Sequence, residues 1–140
     1  MRIASFVLSL IIPLGIVLPV QAEQVLYCQE ELATGFYKKE NGSWVTGKFE
    51  TTRLTIKFND DYTKVQGIDN APPWNCFASW LGTKPEFVVC SNPYHSGHTF
   101  IYNKSKRRFN RSFASTFGYV GDDAHNYDSD TLTAGTCTQF

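Results

Sequence analysis

The chain has no CxxC pair among its four cysteines, which argues against a thioredoxin-like redox motif. It has no net charge either: 13 Lys+Arg stand against 13 Asp+Glu. Without an excess of one sign there is no global footprint for nucleic acid or for an anionic membrane. No second long apolar run follows the N-terminal one, so no further helical membrane span is expected. Internal repeats and low-complexity stretches are missing too, and with them the signature of a solenoid or an array. Asn126-x-Asp128-x-Asp130 starts like a calcium loop. Counted from Asn126, however, the sixth and twelfth places hold Thr131 and Cys137, where an EF-hand needs Gly and Glu.

The N-terminal run has its own reading. Arg2 supplies a small positive region, Ile3 to Val20 is apolar but broken by Pro13, Gly15 and Pro19, and Val20-Gln21-Ala22 places small residues at a cleavage site. Residues 1–22 are therefore read as a signal peptide and 23–140 as one domain. Loss of Arg2 leaves the mature chain near a net charge of about −1. Export suits the cysteines, since an even number in an oxidising compartment reads as disulfides. Cys28, Cys76, Cys90 and Cys137 allow three connectivities by counting alone. Cys28–Cys137 with Cys76–Cys90 is preferred: the first would tie the ends of the domain and the second would staple neighbouring strands.

The body of the chain is a series of short strand-like runs. Arg53-Leu54-Thr55-Ile56-Lys57-Phe58 alternates polar and apolar residues, the mark of a half-buried antiparallel strand. Asn41-Gly42 between two such runs signals a hairpin. Val25 to Cys28 reads as a first strand, and Glu30 to Tyr37 as a turn into a second. Trp74 to Leu81 fits a strand or one short helical turn. Phe87 to Cys90 and Thr99 to Tyr102 are strands. Phe109, Phe113 and Phe117 sit four apart, a spacing that suits a helix face or a strand. The Ser, Thr and Phe content favours strand. Thr131 to Thr138 is a last strand, with a bulge expected at Gly135. Roughly eight to ten strands with regular turns predict an all-β fold, a small antiparallel β-barrel of about eight strands with two disulfides, lipocalin-like in plan.

Chemistry-bearing residues concentrate in two places. His95, Ser96 and His98 share one turn. His95 and His98 are candidate metal ligands, joined by His125 and nearby Asp122, Asp123 or Asp128 if the loops meet. Lys104, Lys106, Arg107, Arg108 and Arg111 form a basic run interleaved with Tyr102 and Phe109. Such a patch could contact an anionic partner. The plain alternative is an edge hairpin kept soluble by charge. Catalysis has little basis, because bridged cysteines offer no thiolate and Ser96 between two histidines is not triad geometry.

Two resemblances add to this. A chain that opens on Tyr27-Cys28 and closes on Cys137 resembles the small periplasmic β-barrels that inhibit C-type lysozyme. Ser96-Gly97-x-x-Phe100 is similar to their Ser-Gly-x-x-Tyr loop. The Trp and Lys-Gly that follow that loop in the family have no counterpart here, so only Ser96 carries over. Ala33-Thr34-Gly35-Phe36 and Gly135 to Phe140 are similar to short exported bacterial proteins without an assigned activity, which implies a bacterial source. The expectation is an exported, non-enzymatic binding module, periplasmic or secreted, acting through surface loops on a protein partner as an inhibitor or envelope factor. A carrier of a small apolar ligand is the alternative. No cofactor, nucleic acid or membrane span after signal cleavage is expected.

Overall fold

A computed structural model describes residues 23–81, 84–95, 97–114 and 129–139. The expected signal peptide lies outside them, as do Ser96, Phe117, Asp122, Asp123, His125 and Asp128. The described residues form one antiparallel sheet: β1 Gln24–Lys38, β2 Trp44–Lys48, β3 Arg53–Phe58, β4 Lys64–Gln66, β5 Trp74–Leu81, β6 Lys84–Ser91, β7 His98–Asn103, β8 Arg108–Phe113 and β9 Ser129–Gln139. The order is β2-β1-β3-β4-β5-β6-β7-β8-β9, and β9 pairs back onto β1. Eight strands thus close a barrel, with β2 as an extra strand on the upper half of β1. Closure removes the unpaired edges that an open sheet would expose. Among the described residues no helix is long and apolar enough to cross a membrane.

The long first strand replaces the two short ones expected, and a bulge inside it explains its pattern. Leu26, Cys28 and Glu30 face inward in strict alternation. The pairing with β9 then shifts between Glu30 and Leu32. That extra residue reverses the phase of everything after it. Leu32 points outward at 71% exposure, and Phe36 is exposed as well. The small Ala33 and Gly35 take the inward positions instead. Gly135, expected to carry a bulge, stands opposite this one, paired with Glu30. Its glycine has a steric reason: a Cβ there would lie 2.1 Å from the Gln29 carbonyl oxygen and 2.8 Å from the Phe109 ring.

The interior is filled by side chains. Leu26, Ile56, Phe58, Val65, Val88, Phe100 and Phe109 are buried. Phe58 lies 5.8 Å from Tyr102 and 6.5 Å from Phe100, which stacks on Phe109 at 5.3 Å. These rings contact one another, and each fully buried one contributes about 1.5–3 kcal/mol. Both disulfides, Cys28–Cys137 and Cys76–Cys90, join residues directly opposite on neighbouring strands. All four cysteine side chains point inward and are buried. Two such bonds fit an oxidising, non-cytoplasmic environment.

Candidate functional site

Antiparallel order gathers the ends of β4, β6 and β8 and the starts of β5, β7 and β9 at one rim of the barrel. Inward phase decides which side chains meet there. Trp74 continues the inward row of Cys76, and His98 that of Phe100 and Tyr102. Arg111 and Phe113 follow Phe109 on β8. The loop after β4 adds Asp69, and the loop after β6 adds Asn92.

Asp69 is the hub of this rim. Its Oδ1 accepts from the Ala71 backbone at 2.9 Å and from the Trp74 indole at 3.2 Å. Its Oδ2 accepts from the Asn92 amide at 3.2 Å. Asn92 is itself buried. Its Oδ1 accepts from the backbone N–H groups of Tyr94 at 2.8 Å and His95 at 3.2 Å. Its own N–H donates to the His98 carbonyl. Such Asx geometry folds the backbone back on itself without help from a sheet. Gly97 holds a φ of +89°, open to glycine and strained for other residues. A Cβ there would also meet the Ala114 carbonyl oxygen at 2.3 Å. The turn after β6 is therefore tied to the barrel through the buried Asn92 and the half-buried Asp69, and it carries Tyr94 out into solvent at 68% exposure. Tyr94, Pro93, Pro72, Pro73 and Asn75 border a cleft of about 440 Å³.

The two histidines of this turn come together, with ring centroids 5.1 Å apart. His98 also packs against Phe113 at 4.7 Å and Trp74 at 6.3 Å. Its Nδ1 is buried and has no hydrogen-bond partner within the protein. Burial pushes its pKa below the ordinary 6.5, the charge of His95 pushes the same way, and Asp69 opposes both. Among the described residues no group of three or more His, Cys, Asp and Glu is placed to hold a metal ion. A depressed histidine pKa makes the unfolded chain bind the proton first. The contribution of His98 to stability is thus complete above about pH 6.5 and is lost as pH falls below it. The urea midpoint should drop between pH 7.5 and pH 5, and His98→Phe should flatten that drop. Equal slopes in both proteins, or an NMR titration of His98 at or above 6.5, would refute this assignment.

Arg111 parts company with the rest of the basic run. Its side chain is 11% exposed and turned into the barrel, where Nη2 lies 2.5 Å from Oε1 of the fully buried Glu30. Nη1 donates to the Ile68 carbonyl at 3.3 Å, and the guanidinium lies 4.6 Å from the centre of the Phe113 ring. Burial pushes its pKa down, while Glu30 and then Asp69 hold it up. Lys106, Arg107 and Arg108 instead stand exposed at the turn at the far end of the β7–β8 hairpin. The edge-hairpin explanation of that turn does not apply, since β7 and β8 are each paired on both sides.

Sequence reasoning passed over Asp69, Asn92, Trp74 and Glu30. Asn92-Pro93 and Asp69-Asn70-Ala71 carry the Asx-turn signal, and Glu30 keeps phase with Leu26 and Cys28. What joins them is topology, which no local pattern announces. No protein-family model matches the chain, and neither a curated protein nor a solved structure matches it.

Proposed function

We propose that this protein is an exported, non-enzymatic binding module that engages a protein partner through the rim loops, in the periplasm or outside the cell. The observation that carries the reading is the turn at Tyr94. A large amphipathic side chain is held out in solvent by a backbone already fixed through Asn92 and Asp69. Exposed tyrosines of this kind are favoured interface anchors. Fixing the loop in advance lowers the entropy cost of binding, and Pro93 before Tyr94 does the same. The bridged cysteines offer no free thiolate for covalent catalysis. The resemblance to lysozyme inhibitors makes a C-type lysozyme the first partner to try.

A photo-crosslinking residue placed at Tyr94 should capture one defined protein from envelope extracts. The same residue at Lys57, on the outer wall, should not. Tyr94→Ala should weaken binding of the captured protein by about tenfold or more and leave the denaturation midpoint unchanged. If affinity survives Tyr94→Ala, the rim is not the interface. If native mass spectrometry finds a co-purified apolar small molecule that Tyr94→Ala does not affect, the carrier reading replaces this one.

A further inference from the structure

Outside the rim, one surface combines exposed apolar groups with cations that form no ion pair among the described residues. Phe77, Val89 and Ile101 lie directly opposite one another across β5, β6 and β7. All three are in outward phase, and Phe77 is 59% exposed. Beside this row is a cleft of about 300 Å³, bordered by Phe87, Ile101, Lys106, Arg108 and Asn110. Among the described residues neither Lys106, Arg107 nor Arg108 takes part in an ion pair. Lys104 differs, with its ammonium 5.0 Å from the centre of the Tyr62 ring. The turn that carries these cations is pinned: Asn103 Oδ1 accepts from the Lys106 N–H at 2.8 Å and from the Ser105 hydroxyl at 3.0 Å.

The usual reasons for such a surface are missing. Cations on a hairpin often protect a sheet edge, but this hairpin has no free edge. A generally basic protein would show cations everywhere, but this chain balances 13 Lys+Arg with 13 Asp+Glu. Lys106 and Arg108, at a cleft that Phe87 and Ile101 also border, are therefore a local feature, with a local field that favours negative charge. Pure polyanions would use the cations and leave Phe77 and Ile101 in water. A ligand that uses both must offer carboxylates and apolar side chains close together.

We infer that the outer face of β5–β7, with the turn between β7 and β8, is a docking surface for an acidic segment of a protein that carries apolar side chains between its carboxylates. This inference uses neither Tyr94 nor its hydrogen-bonded turn, so it does not depend on the rim reading.

The test uses the purified mature protein and a fluorescent peptide of about twelve residues in which Glu and Asp alternate with Leu and Phe. The peptide should bind, and binding should weaken as salt rises from roughly 50 to 500 mM. The double variant Lys106→Glu/Arg108→Glu should weaken it by about tenfold or more. Ile101→Ser, a change independent of charge, should weaken it as well. Tyr94→Ala should leave it unchanged. All four positions are on the surface, and an unaltered thermal midpoint verifies folding. Absence of peptide binding overturns the inference, as does equal binding by the charge-reversed variant. Equally tight binding of a peptide with Ser in place of Leu and Phe, of heparin, or of phosphatidylglycerol vesicles also overturns it, by showing a patch that recognises charge alone.

Discussion

Glu30→Ala should destabilise the barrel by about 3–5 kcal/mol, the range for removing one partner of a buried ion pair. The Glu30 side chain is fully buried and Arg111 nearly so. Besides facing Arg111, Glu30 accepts through Oε2 from the Thr52 N–H at 2.8 Å and the Thr52 hydroxyl at 2.9 Å. Alanine would strand a guanidinium in the interior and remove the acceptor of two Thr52 hydrogen bonds. Arg111→Met should cost a similar amount for the converse reason. Replacing both by apolar groups is different, because it removes both desolvation penalties together. Glu30→Leu/Arg111→Met should therefore recover most of the loss. Unfolding free energies of the wild type, Glu30→Leu, Arg111→Met and the double variant give the coupling directly. Additive losses would show that the pair does not act as a unit.

The second large effect belongs to the bond that closes the barrel. Cys28 and Cys137 are 109 residues apart, and Cys76 and Cys90 only 14. By loop-closure entropy the first bond is worth about 4–5 kcal/mol and the second about 3. Alanine pairs at each site allow a fair comparison. All four side chains point into the interior, so each double variant leaves a similar small void. The difference between the two unfolding free energies then reports the loop term. The long-loop variant should be the weaker protein by about 1–2 kcal/mol. Equal losses would mean that strain or residual unfolded-state structure outweighs chain entropy here.

Residues whose neighbours are local were readable in the sequence. Arg53 to Phe58 alternates and is a strand with its apolar side inward. Asn41-Gly42 forms its turn, with Gly42 at a φ of +81°. The preferred cysteine pairing is the one found, because first and last strands must meet when a barrel closes. Ambiguity arose where a spacing suits two periods. Phe109 and Phe113 are four apart, a multiple of the strand period and close to one helical turn. Pairing with β7 and β9 makes this segment a strand.

The polar interior was not readable in the same way. Glu30 looked like the start of a turn because a lone charge after an apolar run usually is one. Arg111 looked like the end of a basic run, although Phe109, Arg111 and Phe113 share one phase. Each residue is explained only by the other, and only the topology brings them into contact. The rim shows the same limit. His95 and His98 were visible, but Asp69 and Asn92, which hold their turn, read as ordinary loop residues.

Barrel closure also constrains the order of events in folding. The native bonds are nested: the first cysteine of the chain pairs with the fourth, and the second with the third. A chain oxidised as it emerges presents Cys76 to Cys28 long before Cys137 exists. A Cys28–Cys76 bond formed at that stage would have to be attacked by another thiolate and exchanged. Correct maturation therefore favours early closure of the short Cys76–Cys90 loop, which leaves Cys28 for Cys137, and a disulfide isomerase would rescue chains that pair Cys28 with Cys76 first.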